Sequence, residues 1–355
     1  MARVFVSVLI DTYNHEHFLE EAVSSVLAQD ISAADREILV VDDGSTDRTP
    51  EILRRFESEI RVLRKTNGGQ ASAFNVGIPE CRGEVIAFLD GDDWWVPNKL
   101  STVASVFLAN PSVGMIGHGI LESFEDGTVR PIAPERPERL RLDSLAAARV
   151  FRLRKSFLGT SRMNLRAALA RQILPVPEAL RIEADEYLFT LAAALGELVI
   201  LPETLTHYRL HKASLYNSAG GNIAGLRRKQ VVLASLAEAL RRELPGRGVP
   251  ADAVGCVVEI VQAEADQLRL LLDGGSPWET LRTENTIYRV MHEDASRSHR
   301  LFRWATMLPA CVLPPRWFYG ARRWLTGQSW YHTARTKVLP VPSITRELGP
   351  ENFKG

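Results

Sequence analysis

Three carboxylates stand close together directly after a short apolar stretch. Glu84–Leu89 is mostly apolar and short enough to be a buried strand, and it is followed by Asp90, Gly91, Asp92 and Asp93. The Asp-x-Asp pair supplies hard oxygen ligands, which can hold Mg²⁺ or Mn²⁺ and, through the ion, a diphosphate. An ordinary acidic turn is the alternative, because Asp and Gly are common turn residues. The preceding strand and the following Trp-Trp-x-Pro favour a ligand site.

The elements that must position these acids alternate between strand and helix. The predicted strands are Val4–Ile10, Glu37–Val41, Ile60–Leu63, Glu84–Leu89 and Val113–Ile120, and the predicted helices between them are Phe18–Gln29, Thr49–Phe56 and Ala71–Ile78. This alternation predicts an α/β fold with a doubly wound, mostly parallel sheet and helices on both faces. Right-handed crossovers place the carboxyl ends of the strands at one edge. The polar turns after Ile10, Val41 and Leu89 are therefore expected to meet in one crevice.

These turns carry groups that suit a nucleotide. Asp43 can accept hydrogen bonds from a ribose or a base edge, and Tyr13 can stack on a base. The alternatives are that Asp42 and Asp43 cap a helix and that Tyr13 is only a rim aromatic. The first strand is not followed by G-x-G-x-x-G, and G-x-x-x-x-G-K-[ST] does not occur, which disfavours dinucleotide and P-loop sites. A nucleotide whose phosphates are bound through a metal ion fits best.

Composition sets the broad class. The chain has 355 residues, enough for about two domains at ~150 residues each. Forty-three basic and 43 acidic residues balance, so no net charge attracts nucleic acid, and no nucleic-acid partner is expected. The three cysteines have no metal-ligand spacing and are expected to be reduced, as in the cytosol. No signal peptide and no membrane-spanning run is predicted.

The chain contains four motifs in succession: V-S-V-L-I-D-T-Y-N, V-V-D-D-G-S-T-D, N-G-G-Q-A-S-A-F-N-V-G-I and F-L-D-G-D-D-W-W-V-P-N-K-L. In this order they resemble family 2 of the inverting glycosyltransferases, which have the GT-A fold. The resemblance is close to about residue 110 and looser to about residue 215. It implies transfer of a sugar from a nucleotide-diphosphate donor, with a UDP-sugar expected first, to an acceptor hydroxyl of a glycan or lipid-linked molecule. Mn²⁺ or Mg²⁺ would be the cofactor. Asp11 departs from the family, which more often has Pro or Thr there.

The resemblance also implies roles for individual residues. Asp90 and Asp92 would bind the metal, with His211 as a third ligand in a segment similar to the family's Y-R-x-H. Tyr13 and Asp43 would contact the base and ribose. The residues expected to contact substrate are Thr12, Tyr13, Asp43, Asn67, Gln70, Asp90, Trp95, Glu186 and Arg209.

A general base is expected near the start of a helix at Tyr187–Leu195. The family carries a Glu-Asp pair here, and Asp185 matches its Asp, whereas Ala184 replaces its Glu. The acceptor hydroxyl must lose a proton as it attacks the anomeric carbon, so Asp185 is the expected base. Glu186 is the reserve candidate. Capping of the helix by Asp185 is an alternative that is compatible with the catalytic role.

The sequence predicts three parts: a catalytic domain at 1–220, a helical hairpin at 221–294 and a tail at 295–355. Within the first part, Glu125–Arg141 is expected to be a surface loop or a lid, Leu165–Ile173 a helix and Leu198–Leu201 an edge strand. The hairpin would comprise helices at 222–244 and 251–272 that pack on the catalytic domain or on a second copy.

The tail is basic and aromatic. Ala295–Thr345 contains no acidic residue, and its arginines are interleaved with Trp, Phe and Tyr, while prolines prevent one long helix. Such a segment suits an anionic membrane surface, which predicts peripheral contact through 295–340 at the cytoplasmic face. A homodimer contact and a lid over the catalytic domain are the alternatives.

Two other functions are consistent with parts of the sequence. A catalytically degenerate nucleotide-sugar-binding or membrane-adaptor protein is favoured only by Ala184. A sugar-1-phosphate nucleotidyltransferase would need a Gly-rich, Arg-containing loop after the first strand, and Asp11–His15 contains neither residue.

Overall fold

The computed structural model describes residues 4–211, 223–292 and 297–326. Its contacts divide the chain into two compact units, residues 1–258 and 259–355, whereas the sequence predicts boundaries at 220 and 294. The predictions for residues 212–220, which follow the Y-R-x-H segment, and for the tail beyond residue 326 lie outside the described residues.

The first unit is built on a ten-stranded sheet. Its strands are β1 (Val6–Thr12), β2 (Arg36–Asp42), β3 (Arg61–Arg64), β4 (Val85–Asp90), β5 (Trp94–Trp95), β6 (Val113–Phe124), β7 (Val129–Ile132), β8 (Glu138–Leu140), β9 (Asn164–Arg166) and β10 (Glu197–Leu210). The main path runs β3-β2-β1-β4-β9-β6-β10-β5, with β7 paired to β6 and β8 to β10. The pairs among β1 to β4 and the β6–β10 pair are parallel. The predicted α/β class is confirmed.

Helices cover the sheet. They are α1 (Leu19–Leu27), α2 (Thr49–Arg54), α3 (Gln70–Glu80), α4 (Lys99–Ala109), α5 (Leu145–Arg154), α6 (Ala167–Ile173), α7 (Ala184–Leu195), α8 (Ile223–Glu243) and α9 (Ala251–Asp273). Helix α1 buries Leu19, Ala22, Val23 and Val26, the spacing of one helical face. Residues 6–10 of β1 and 85–89 of β4 are buried throughout, because helices exclude water from both faces of the sheet.

Three predictions about the middle of the chain are wrong. The supposed loop at 125–141 contains strands β7 and β8, because both pair with strands already in the sheet. Asn164–Arg166 bridges β4 and β6 as an antiparallel strand, so the helix predicted from Leu165 begins only at Ala167. Strand β10 is longer than predicted and lies inside the sheet between β6 and β5. Its register shifts around Pro202, which has no N–H for the ladder.

The second unit contains the end of α9 and three further helices, α10 (Pro277–His292), α11 (Arg297–Met307) and α12 (Pro315–Thr326). A small core joins Leu270, Ala310, Phe318 and Tyr319. Pro314 and Pro315 separate the last two helices, as predicted. Within the described ranges, no helix combines the length and the apolar character needed to span a membrane.

Candidate active site

The turns that follow β1 and β2 are joined by hydrogen bonds. The Asn14 N–H donates to Ser45 Oγ over 2.9 Å, and Asn14 Oδ1 accepts the Thr46 N–H over 2.8 Å. Asn14 has a φ of 56°, a left-handed conformation that Asn adopts more readily than most residues. The Asp43 N–H donates to the Thr12 carbonyl. These hydrogen bonds hold together the two turns that form one side of the predicted crevice.

The acids after β4 form the centre of this crevice. Asp90, Asp92 and Asp93 each offer a carboxylate oxygen, and these oxygens lie within 4.8 Å of one another. Asp11 is paired in register with Asp90 across β1 and β4. Among the described residues, Asp11 Oδ1 and Asp93 Oδ2 are buried and accept no hydrogen bond. Buried carboxylate oxygens that lack donors are the chemistry that a hard divalent cation satisfies, so these residues fit a metal ion.

Burial and mutual repulsion disturb the titration of the cluster. Burial and the charge of Asp92 raise the pKa of Asp11 to about 8 and that of Asp93 to about 7. Burial and the neighbouring Asp11 raise the pKa of Asp90 well above its usual value. Burial would also raise the pKa of Asp92, but the hydrogen bond with His211 and the charge of His15 lower it overall. A bound cation would relieve this crowding of negative charge.

His211 and Arg209 approach the acids from the end of β10. His211 Nε2 lies 3.1 Å from Asp92 Oδ2. The Arg209 N–H donates to Asp93 Oδ1 over 2.9 Å, and its Nε donates to the Asp92 carbonyl over 2.8 Å. The structure thus places both predicted residues at the acid cluster.

Aromatic rings hold the Arg209 guanidinium. It lies over the Trp94 ring at 4.3 Å and the Phe18 ring at 4.9 Å, and it pairs with Glu21. Phe18 also packs on the His211 ring at 4.4 Å. This packing fixes the positive charge beside the position where a diphosphate would meet the acids.

Three side chains close to the acid cluster donate hydrogen bonds to one backbone oxygen. The Ser161 carbonyl accepts from Trp95 Nε1 at 3.3 Å, Lys99 Nζ at 2.7 Å and Thr206 Oγ1 at 2.8 Å. The Ser161 hydroxyl accepts the Asp90 N–H over 3.1 Å. Trp95 is 3% exposed, so its ring packs inside the protein behind the acid cluster. Its expected contact with substrate stays a prediction, and this burial disfavours it.

The expected nucleotide side contains an ordered loop. Buried Asp43 accepts from Lys65 Nζ at 2.7 Å, Asn67 Nδ2 at 3.1 Å and the N–H groups of Gly68 and Gly69 at 2.9 and 2.6 Å. The predicted residues Asp43 and Asn67 are therefore adjacent, and the carboxylate organises the loop between β3 and α3.

Tyr13 and Thr12 differ in exposure. Tyr13 is 43% exposed at the rim, where it can stack on a base. Thr12 is buried, and its hydroxyl lies 3.1 Å from His15 Nδ1. Thr12 thus braces the turn after β1.

Asp185 lies in the first turn of α7. Its Oδ2 accepts from the Thr160 N–H at 3.1 Å and from Thr160 Oγ1 at 3.3 Å. Burial and the charge of Glu183 raise the pKa of Asp185 to about 6. The helix begins at Ala184 rather than at the predicted Tyr187, so Asp185 is not the residue that precedes it. Its elevated pKa suits a base that works near neutral pH.

Gln70 connects the two sides of the crevice. Its Nε2 donates to Thr160 Oγ1 over 3.0 Å, and its Oε1 accepts the Ala184 N–H over 3.0 Å. Both partners adjoin Asp185. The structure therefore gives Gln70 a positioning role, while its expected contact with substrate stays a prediction.

Glu186 points into a buried ion-pair group. It is 2% exposed, pairs with Arg152 and lies 3.3 Å from Lys155 Nζ. Burial opposes its ionisation, but the charges of Arg152 and Lys155 lower the pKa of Glu186 to about 2. A carboxylate with this pKa is a poor proton acceptor, which argues against the reserve role as base.

Sequence analysis missed Arg162, whose guanidinium lies 5.1 Å from the Tyr208 ring. It also left out Asp93 as a metal ligand and Ser161 as a support. No local pattern marks Arg162 or Ser161, because their partners come from distant parts of the chain, such as Asp90 of β4 and Tyr208 of β10.

Comparisons with known proteins agree with this architecture. The sequence pattern of Glycosyl transferase family 2 matches residues 7–170. An uncharacterized glycosyltransferase of Nostoc sp. is 34% identical over 221 residues, which cover 60% of this chain and 67% of that protein. The E. coli UDP-Glc:alpha-D-GlcNAc-diphosphoundecaprenol beta-1,3-glucosyltransferase WfgD is 39% identical over 115 residues, 32% of this chain and 45% of that protein.

A solved structure shares the fold. The S. aureus TarS structure in complex with UDP-GlcNAc superposes with a TM-score of 0.54 at 18% identity and covers 86% of this chain and 81% of that one. The predicted GT-A type architecture with additional C-terminal helices is confirmed. From the matched pattern and the Nostoc relative, we conclude that the chain is an enzyme that belongs to glycosyltransferase family 2.

Proposed function

We propose that the protein is a metal-dependent, inverting glycosyltransferase that moves a sugar from a nucleotide-diphosphate donor to an acceptor hydroxyl. The observation that carries the proposal is the closeness of the acid cluster to Asp185, since the adjacent residues Ser161 and Thr160 bond Asp90 and Asp185 respectively. The charge of Asp185 acts on Asp90, whose pKa it helps to raise. A donor bound at the acids would therefore present its sugar to Asp185.

We propose a UDP-sugar as the donor. Tyr13, Asp43 and Asn67 form the side on which the base and ribose would bind. The E. coli relative is named for a UDP-glucose donor, and TarS has been solved with UDP and with UDP-GlcNAc. These relatives support the nucleotide but do not identify the sugar.

Asp90, Asp92, Asp93 and His211 would hold the ion, Mn²⁺ or Mg²⁺. When bound, the ion would neutralise the charge of the departing nucleoside diphosphate. Arg209 adds a fixed positive charge on the same side, where a guanidinium can bind phosphate oxygens.

Asp185 would accept the proton of the acceptor hydroxyl. The hydroxyl oxygen forms a bond to the anomeric carbon while the bond from that carbon to the diphosphate breaks on the opposite face, which inverts the configuration. Thr160 and Gln70 hold Asp185 in place for this step. Oδ2 accepts both hydrogen bonds from Thr160, and Oδ1 accepts the Glu186 N–H over 2.8 Å, so both carboxylate oxygens are held in a fixed orientation.

We propose that the acceptor is a glycan or a lipid-linked molecule at the cytoplasmic face of a membrane. The E. coli relative is named for a diphosphoundecaprenol-linked acceptor. In this chain, the described part of the basic tail exposes large apolar side chains. They are Leu301, Trp304, Leu308, Val312, Leu313, Trp317 and Trp324.

The test is release of nucleoside diphosphate from UDP-, GDP- and TDP-sugars with Mn²⁺, Mg²⁺ or EDTA. We expect slow release that requires metal and vanishes in Asp92→Ala. Tight donor binding without release, even with a membrane extract as the acceptor source, would favour a binding protein. That alternative is retained because Ala184 stands where the family has Glu. Failure to bind any donor would contradict both functions.

A further inference from the structure

The Arg162 side chain forms neither a hydrogen bond nor a direct salt bridge with the described residues. Its guanidinium stacks on Tyr208 at 5.1 Å, and its Nε is buried without an acceptor. Its charge partly opposes the rise in the pKa of Asp93 and of Asp185, so it lies near both acids. Two other arginines of the first unit with such a buried Nε, Arg61 and Arg247, each pair directly with a carboxylate.

The guanidinium lies beside the proposed base. A Cβ added to Gly159 would overlap the Arg162 guanidinium and would stand 3.3 Å from Asp185 Oδ2. The two groups therefore flank Gly159, whose missing side chain leaves the space. Arg162 acts on Asp185 and Asp93 by charge alone, without a direct hydrogen bond, so the N–H groups of its guanidinium remain available to another acceptor.

A guanidinium offers five N–H donors in a planar fork, and leaving them unbonded in a half-buried position costs free energy. Two parallel hydrogen bonds to a carboxylate or a phosphate would satisfy them. At the acids, the donor diphosphate already has a guanidinium partner in Arg209, which bonds Asp93 and the Asp92 carbonyl. We therefore assign Arg162 to the groups on the Asp185 side. The groups that must come close to Asp185 are the transferred sugar and the acceptor.

We propose that Arg162 binds an anionic group, a carboxylate or a phosphate ester, on one of the two sugars that meet at Asp185. This inference rests on the proposed function and names the substrate class: at least one of the two sugars is acidic. Tyr208 supports the guanidinium plane, and Gly159 keeps the approach open. Arg162 is thus a specificity-determining residue.

The donor source is tested by calorimetric binding of UDP, UDP-glucose and UDP-glucuronate, with Mn²⁺ present. If the acidic group is on the donor, UDP-glucuronate binds the wild type at least about tenfold more tightly than UDP-glucose. Arg162→Gln then brings this ratio close to one. Arg162→Lys, which keeps the charge but not the fork, retains part of it.

The acceptor source is tested with glucose, glucuronate and glucose 6-phosphate, titrated into protein saturated with UDP and Mn²⁺. If the acidic group is on the acceptor, one of the anionic probes binds at least about tenfold more tightly than glucose, and Arg162→Gln removes the difference. Arg130→Gln is the matched control. Arg130 also lies over an aromatic ring, Phe124 at 5.8 Å, but pairs with Glu122.

Equal binding of neutral and anionic probes by the wild type in both arms would overturn the inference, whether or not the variants fold. So would an anionic preference that Arg162→Gln and Arg162→Lys leave unchanged. If the wild-type protein does not bind UDP, that result would instead contradict the nucleotide-sugar function, and the inference with it.

Discussion

Asp185 and Glu186 are adjacent carboxylates with opposite environments. Burial and the charge of Glu183 raise the pKa of Asp185 to about 6, whereas Glu186 is enclosed by two cations and its pKa falls to about 2. The residues of this acidic segment do not by themselves reveal the difference, because Arg152 and Lys155 come from a different part of the chain. The two environments favour Asp185 over Glu186 as the proposed base.

Asp185→Asn tests the role of the base. The amide keeps the shape of the side chain but cannot accept a proton, so we expect the turnover number to fall by about 10²–10⁴. The dissociation constant for UDP should change little, because Asp185 lies away from the nucleotide side. Steady-state kinetics and calorimetry measure the two quantities. Turnover that stays within a few-fold of wild type would exclude Asp185 as the base.

The pH dependence follows from the same group. A base acts when it is deprotonated, so kcat/KM should fall as pH decreases through about 6 and should approach a tenfold loss per pH unit below that. Asp185→Asn should abolish this limb. Glu186→Gln should keep it and move it only toward lower pH, because the charge of Glu186 is a smaller cause of the raised pKa of Asp185. A limb that is kept in Asp185→Asn and lost in Glu186→Gln would reverse the assignment.

Glu186→Gln has its own effect, on stability. It leaves Arg152 and Lys155 beside a neutral amide, and breaking such a buried pair costs about 3–5 kcal/mol. Because folding lowers the pKa of Glu186, its charge contributes stability above its ordinary pKa of 4.5. That contribution is lost as pH falls toward 2. Urea unfolding at neutral and acid pH should therefore show a large difference from wild type that shrinks on acidification.

The parallel strands at the centre of the sheet could be predicted from the sequence, whereas the short antiparallel strands β7, β8 and β9 could not. Strands β1, β2 and β4 are continuous apolar runs, and their patterns are local. Strand β9 has three residues and exists because β4 and β6 leave a gap between them. Strands β7 and β8 lie in a charged, Pro-rich stretch and depend on edges supplied by distant residues. Arg162 is likewise not marked by its sequence neighbours, since the ring on which it stacks, Tyr208, belongs to the distant strand β10.

Gly69→Ala tests the close contact between the loop at residues 65–69, which Asp43 organises, and Arg181, which precedes α7. Gly69 has a φ of 85°, and a Cβ there would lie 2.7 Å from backbone atoms of Arg181. Gly127 has a φ of 82° with open space around it, so Gly127→Ala carries only the conformational cost of about 1–2 kcal/mol.

We expect Gly69→Ala to lower the free energy of unfolding by clearly more than Gly127→Ala does, because the loop must also move away from Arg181. Urea denaturation gives both values. The same movement should weaken UDP binding in Gly69→Ala alone. Equal losses in the two variants would mean that the close packing of Gly69 on Arg181 does not affect the free energy of unfolding.

For the whole molecule, metal binding should increase the free energy of unfolding. A ligand that binds only the native state at 100 times its dissociation constant adds about 2.7 kcal/mol. Mn²⁺ should therefore raise the melting temperature by about 5 °C or more, and EDTA should reverse the rise. Asp92→Asn should lose most of the shift, while Asp126→Asn, on an exposed turn, should keep it. A shift of equal size in both variants would place the ion elsewhere.

The second unit should bind anionic membranes. Trp317 on α12 is 74% exposed next to Arg316, and Trp324 lies on the same helix. The double variant Trp317→Ser, Trp324→Ser should weaken sedimentation with phosphatidylglycerol vesicles by roughly tenfold. Trp278→Ser is the matched control, since Trp278 is 72% exposed but follows proline and precedes Glu279. Equal binding to neutral phosphatidylcholine vesicles would contradict the electrostatic part of the proposal.

The backbone oxygen beneath the acids has a consequence for evolution and engineering. Every amino acid carries a carbonyl, so no mutation of codon 161 can delete the acceptor shared by Trp95, Lys99 and Thr206. Replacement of Ser161 removes only its hydroxyl, which contacts the proposed metal ligand Asp90 through the Asp90 N–H and Oδ2. Selection can act on this support only through the three donor side chains, which should therefore tolerate little substitution. A library intended to alter the metal site should vary position 161 and keep positions 95, 99 and 206 fixed.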